Sequence, residues 1–160
     1  MRHFTDALFE NLLNDTALHS YTQKPYSCIA YHGSATKFNS FNLRHFGKTD
    51  DGMFGKGIYF TNNKSIANCF GENNYLYKCR ITINNPYVID NTGTVNGDSS
   101  PDAEQYYNMT NKDNSILEAR GYDGIISKNE EWTGTNTIIA DQYIVFDPSQ
   151  IEILEIIENK

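Results

Sequence analysis

The sequence predicts an α+β fold, a mostly antiparallel sheet with a few short helices around it. Two observations predict this. Short segments that alternate apolar with polar residues, or run apolar, recur between clusters of Gly, Asn, Asp, Ser and Pro, the pattern of strands joined by turns. Helical spacing is confined to a few brief stretches, and there is no internal repeat. At 160 residues the chain fits one domain, 1–160, large enough to bury about two thirds of its unfolded surface with no staple.

Taken in order, Phe4, Leu8 and Leu12, with Phe9 and Leu13 alongside, recur at i, i+4 and predict an amphipathic packing helix over residues 3–14. Residues 1–25 are this helix and a lead-in. Tyr26 to His32 predicts the first strand, with Cys28, Ala30 and His32 on one face and Ile29 and Tyr31 on the other. Residues 35–53 form a polar connection interrupted by Phe38, Phe41 and Phe46, and that length points to function or mobility. A strand at 57–61 follows, since Ile58, Tyr59 and Phe60 favour a pleated surface. Asn62-Asn63-Lys64-Ser65 caps a short helix through Phe70, and Gly71 stops it. Leu76 to Ile83 alternates as a strand, Asn84-Asn85-Pro86 turns the chain, and Tyr87 to Ile89 is a short strand. Residues 91–100 read as an exposed loop, followed by helical stretches at 101–109 and 112–120. Asp123 to Ser127 and Gln142 to Phe146 are apolar strands separated by a polar loop, and Ile151 to Ile157 is the last strand.

The 20 acidic residues against 13 basic ones leave a formal charge of -7. No run of Lys or Arg supplies the clustered cations that general nucleic-acid binding needs. Cys28, Cys69 and Cys79 are odd in number and lack C-x-x-C spacing, so they read as buried free thiols in a reducing cytosol. His3, His19, His32 and His45 are scattered, which predicts no metal site. No stretch reaches the apolar length of a membrane helix, and residues 1–25 lack a continuous hydrophobic run. A cytoplasmic protein without membrane contact is expected, in a host cytosol if a specialised route delivers it.

Chemistry is concentrated in three stretches. In Phe54-Gly55-Lys56-Gly57-Ile58-Tyr59-Phe60 two glycines lead into an aromatic strand, so backbone can lie bare against a ligand while Tyr59 offers a ring to stack on a flat heterocycle or simply fills the core. In Tyr31-His32-Gly33-Ser34 the His32 ring can meet a sugar hydroxyl or be satisfied at a strand end. In Asp141-Gln142-Tyr143-Ile144-Val145-Phe146-Asp147, Gln142 shares a face with Ile144 and Phe146 at the strand's start, which puts its amide at a rim or in a cleft. That amide donates and accepts hydrogen bonds but cannot take a proton as a carboxylate does. Glu130, Glu131 and Asp141 are nearby carboxylates that either supply charge to a site or are solvated loop residues. A G-x-S-x-G elbow, a phosphate loop, an H-E-x-x-H zinc site and a dinucleotide fingerprint are all absent.

Together the three stretches resemble the ADP-ribosyltransferases of the diphtheria-toxin and poly(ADP-ribose) polymerase branch, which carry a His-Tyr-Glu signature on three strands. Tyr31 to Ser34 is similar to the family's H-G-[ST] segment, Phe54 to Phe60 to its F-G-K-G-I-Y-F, and Asp141 to Asp147 to its final E-Y-I-V-Y-D strand, with Gln142 in the glutamate's place. Gly121-Tyr122-Asp123-Gly124-Ile125-Ile126 and Phe146-Asp147-Pro148-Ser149-Gln150-Ile151 also resemble small transferase domains of phage and mobile-element polyproteins. The resemblance spans roughly residues 27–154, with the motifs in the right order.

It implies a split, mostly antiparallel β core that clamps NAD as co-substrate, with no metal. The implied catalytic residues are His32, Tyr59 and Gln142; the implied NAD-binding residues are His32, Gly33, Ser34, Gly57, Tyr59, Ser65 and Phe70. In the family the histidine bonds the adenosine ribose, the glycine bonds the carboxamide, and the tyrosine stacks on nicotinamide. The glutamate steadies the charge that develops as the glycosidic bond breaks. Two departures matter. Gln142 offers only a dipole, which excludes chain elongation and leaves mono-ADP-ribosylation, slow hydrolysis or no turnover. Around Ala67-Asn68, Ile66 and Cys69 stand where polymerases have a serine and an aromatic, with Ser65 and Phe70 one step out. The expected activity is NAD-dependent mono-ADP-ribosylation of a macromolecule, the alternatives being a binding module for NAD, ADP-ribose or a protein, and an NAD glycohydrolase toxin. The acidic balance favours a protein acceptor and leaves nucleic acid open. The loops 35–53 and 128–140, the second with Trp132, are where a target would be read.

Overall fold

The computed structural model of the protein describes residues 25–44, 52–94, 99–132 and 136–159. The expected helix at 3–14 and Phe46 lie outside them. Within them the chain runs β1 (Tyr26–Ser34), β2 (Ile58–Thr61), α1 (Lys64–Phe70), β3 (Tyr75–Ile83), β4 (Pro86–Asp90), α2 (Pro101–Thr110), α3 (Ser115–Ala119), β5 (Gly124–Trp132), β6 (Ile138–Val145), a 3-10 turn at Pro148–Gln150 and β7 (Ile151–Glu158). The seven strands form one sheet in the order β4-β5-β6-β2-β1-β3-β7. Every neighbouring pair is antiparallel except β4 and β5, whose parallel pairing follows from the crossover through α2 and α3. The fold is the α+β class expected.

Strand alternation divides the core in two. Tyr77, Cys79, Ile81 and Ile83 of β3 join Ala30, Phe41, Phe60, Tyr143 and Val145 in one buried cluster. Ile125 of β5 and Ile144 of β6, whose sequence neighbours Ile126, Tyr143 and Val145 face the first cluster, turn the other way. There they meet Phe54, Ile89, Ala103, Tyr106 and Leu117. The sheet therefore has apolar residues on both faces, with α2 and α3 supplying the second.

The strongest ladder, β1 with β3, pairs residues from Tyr26 opposite Ile83 to Ser34 opposite Tyr75. By contrast β1 and β2 meet at a single register position, Tyr31 opposite Thr61. The sheet splits there, between the half β4-β5-β6-β2 and the half β1-β3-β7. Helix α1 follows β2 directly. Asn63 caps it, its Oδ1 accepting from the Ile66 amide at 3.0 Å.

Two shifts of expected boundaries bear on the site. Strand β6 begins at Ile138, so Gln142 lies inside the strand, between Thr61 of β2 and Ser127 of β5, and is buried at 8% exposure. Strand β5 runs past Ser127 to Trp132, because ladder bonds to β6 carry its polar residues. The cysteines are all free, but only Cys79 is buried; Cys69 is exposed on α1, contrary to the buried reading.

Candidate active site

Where β1 and β2 part, a cavity of about 710 Å³ opens, within the range of small-molecule sites, roughly 300–1,000 Å³. Its wall takes Tyr31, His32, Gly33 and Ser34 from β1, Tyr59, Phe60 and Thr61 from β2, Phe70 from α1 and Gln142 from β6. Three motifs far apart in sequence thus share one cavity.

His32 ends the core-facing row of β1 and is ringed by aromatic side chains, Phe41 at 5.2 Å and Phe60 at 5.6 Å between ring centres. Burial pushes its pKa down to about 4, so the ring is neutral at pH 7. Its Nδ1 lies 2.8 Å from the Tyr59 carbonyl oxygen. A carbonyl only accepts, so Nδ1 carries the proton and Nε2 keeps the acceptor lone pair.

Tyr59 is fixed at its far end. Its hydroxyl donates to the Gly55 carbonyl and accepts from the Phe54 amide at 3.2 Å. The loop that holds it is anchored by Phe54, which is buried between Tyr106 and Tyr107. Gly55 turns that loop at φ +71, where a Cβ would meet the Lys112 carbonyl oxygen at 2.3 Å, so neither the dihedral nor the space admits a side chain. Asn114 closes the loop from beneath. Its Nδ2 donates to the Phe54 carbonyl at 2.7 Å and the Lys56 carbonyl at 2.9 Å, while its Oδ1 accepts from the Tyr106 hydroxyl at 2.7 Å.

Gly33 answers to close packing. A Cβ there would lie 1.7 Å from the Ala67 carbonyl oxygen, so its bareness lets α1 sit on the end of β1. The Ser34 hydroxyl is engaged in its own turn, donating to the Thr36 carbonyl at 2.7 Å.

Of the residues expected to form the site, His32, Gly33, Ser34, Tyr59, Phe70 and Gln142 come together in this wall. Gly57 and Ser65 do not. Gly57 is buried against Ile144, and Ser65 is exposed on α1. Four residues outside the expected site are also in the wall: Gly52, against the Tyr59 ring; Thr61, beside Gln142; the exposed cation Lys112; and Trp132, expected in a target-reading loop. Trp132 packs edge-on against Phe70, ring centres 5.5 Å apart. Among the described residues, the buried side-chain polar atoms without a hydrogen-bond partner are Trp132 Nε1 and Gln142 Oε1. One is a donor and the other an acceptor, both in the wall of the same cavity. Buried orphans of this kind cost free energy unless a ligand satisfies them.

Among the described residues no group of three or more His, Cys, Asp or Glu side chains is placed to hold a metal ion, and no helix is long and apolar enough to cross a membrane. No curated protein matches the sequence. A family model, that of the ADP-ribosyltransferase in polyvalent proteins, matches residues 26–159. The match starts on the first residue of β1 and ends one past β7, so it takes in the whole sheet and the cavity at its split; the chain belongs to this ADP-ribosyltransferase family.

Proposed function

We propose that the protein is a mono-ADP-ribosyltransferase that binds NAD in the cavity at the sheet split, breaks the nicotinamide–ribose bond and transfers ADP-ribose to a macromolecule, a protein before a nucleic acid. The observation that carries this reading is the pair of orphaned atoms, Gln142 Oε1 and Trp132 Nε1, in a cavity of dinucleotide scale. NAD presents both hydroxyl donors and carbonyl or phosphate acceptors, which suits a wall offering one unpaired acceptor and one unpaired donor.

In this reading each residue acts by its own chemistry. The Tyr59 ring, held by its hydroxyl, stacks on the nicotinamide. His32, neutral and protonated on Nδ1, accepts a ribose hydroxyl at Nε2. The bare backbone at Gly33 and Ser34 meets the carboxamide, Phe70 closes the rim, and Lys112 offsets the pyrophosphate charge. Gln142 Oε1 accepts from the nicotinamide ribose and directs its negative end toward the carbon that gains positive charge as nicotinamide leaves with the bonding pair. A dipole stabilises that charge less than a carboxylate would, which favours single transfers over chain growth.

The test is incubation of the purified chain with NAD labelled in its adenylate half and a bacterial lysate, beside His32→Ala and Tyr59→Ala variants checked for melting. Label on a discrete protein band, reduced at least tenfold in both variants, is the expected result. Label recovered as free ADP-ribose would make water the acceptor. A second reading has one observation in its favour: no carboxylate is among the cavity's described wall residues. A module that binds NAD without consuming it would leave the label intact, and a gain of turnover on Gln142→Glu would then mark a site that has lost its glutamate.

A further inference from the structure

A second cavity, of about 120 Å³, shares Met53 and Trp132 in its wall with the first, and into its wall the sheet brings Glu130. In the β5–β6 ladder Ser127 is the direct partner of Gln142, and Glu130 the partner of Ala140, two residues earlier on the same face of β6. A bulge between Ser127 and Glu130, with Asn129 at φ 57, absorbs the odd residue and keeps both side chains on that face. The Ser127 hydroxyl donates to Glu130 Oε1 at 2.7 Å, and its oxygen accepts from Asn91 Nδ2 at 2.9 Å. With the Asn91 amide donating to it, the hydroxyl is oriented toward the carboxyl, and Glu130 Oε1 is held as an acceptor. Glu130 is buried at 9% exposure.

We propose that Glu130 is a catalytic residue of this protein: from the second cavity, beside Gln142, it takes the proton of the acceptor nucleophile as that group attacks the ribose carbon. The inference rests on the transferase reading above. The acceptor's X–H bond breaks and its proton passes to the carboxylate; the X–carbon bond forms. The carbon–nitrogen bond to nicotinamide breaks, and its electron pair leaves on the ring nitrogen, which becomes neutral. An amide at position 142 cannot take that proton, so the site needs a base elsewhere, and the acceptor class is one with a proton to lose, a hydroxyl or an amine.

The surroundings suit the role. Burial holds Glu130 up at about 7, against the Ser127 hydrogen bond that lowers it and the Asp141 charge that raises it further. The titratable groups that act on it are Asp141, on the other face of β6, and Tyr107 of α2, whose own pKa is raised first by burial and then by the Glu130 charge. Glu131 is the other carboxylate in the cavity wall, and no cation is among its described residues.

The experiment measures nicotinamide release and label transfer from NAD between pH 5 and 8 for the wild type, Glu130→Gln, Glu131→Gln and Ser127→Ala, with NAD binding followed by melting shift. In the wild type, transfer rises about tenfold per pH unit well below pH 7, reaches half its maximum near pH 7 and levels off toward about pH 8. Glu130→Gln lowers the plateau on the order of 10²-fold or more and removes the rise, while its melting shift with NAD persists; Glu131→Gln changes neither. Ser127→Ala, which keeps the carboxyl but loses its donor, moves the rise to higher pH. A wild-type profile flat from pH 5 to 8, or Glu130→Gln transferring within threefold of wild type, overturns the proposal while leaving the transferase reading intact. Absence of nicotinamide release by the wild type at every pH overturns that reading first, and this one with it.

Discussion

Gly33 shows how a residue can look like a ligand contact and also answer to packing. Alanine there drives a methyl group into the Ala67 carbonyl, a contact of 1.7 Å that neither β1 nor α1 can relieve without moving. Gly33→Ala is expected to cost about 1–3 kcal/mol, as overpacking does, read as a lower urea midpoint with an unchanged slope. A variant within a few tenths of wild type would show that α1 gives way freely. His32, Tyr59 and Gln142 were legible in the sequence because each stands in a short motif whose residues are adjacent. Trp132 and Lys112 were not, because one reaches the cavity through the length of β5 and the other from the connection between α2 and α3. Only tertiary pairing makes them neighbours of Tyr59.

At the scale of elements, the existence of each strand could be read from alternation, apolar runs or strand-favouring residues, whereas the reach of β5 and β6 could not. Lys128, Asn129, Glu130 and Glu131 carry no apolar signal, yet they lie in a strand because β4 pairs with Lys128 and β6 pairs with Glu130 and Glu131 beyond the bulge. That is why Glu130 read as a loop carboxylate. Asn114 was hidden differently. It fell inside an expected helix at 112–120, but α3 begins only at Ser115, and Asn114 serves instead as the clasp of the Phe54–Lys56 loop. Asn114→Ala leaves two carbonyls and the Tyr106 hydroxyl without this partner, and is expected to destabilise by about 2–3 kcal/mol. Chemical denaturation checks this. Weaker NAD binding should accompany it, since the loop also fixes the Tyr59 hydroxyl; unchanged stability would remove the clasp from the account.

At the scale of the whole molecule, two titratable groups act on stability in opposite senses. His32 titrates near 4 when folded and near 6.5 when unfolded, so between these values the unfolded chain holds the extra proton and stability grows with pH. Glu130 titrates near 7 folded and near 4.5 unfolded, so between those values the folded chain holds the extra proton and stability falls with pH. From about pH 4.5 to 6.5 the two slopes, each up to ~1.4 kcal/mol per unit, cancel. Glu130→Gln should uncover the histidine: its stability relative to wild type rises with pH from 4.5 to 7, measured by urea midpoints across that window. A constant difference would mean that Glu130 keeps its ordinary carboxylate pKa.

The single register contact between β1 and β2 gives the sheet the mechanics of a book. Each half is a leaf stitched internally by its own ladders, and along the spine the strands of the two leaves pair at only one register position. The aromatic cluster glues that spine, because Tyr77 and Cys79 from one leaf interlock with Phe60 and Tyr143 from the other. Bending at the spine would therefore disturb one strand pairing but many packed rings. A molecule lodged between the leaves touches both, as a bookmark does. A change of angle at the spine would widen or narrow the cavity between them.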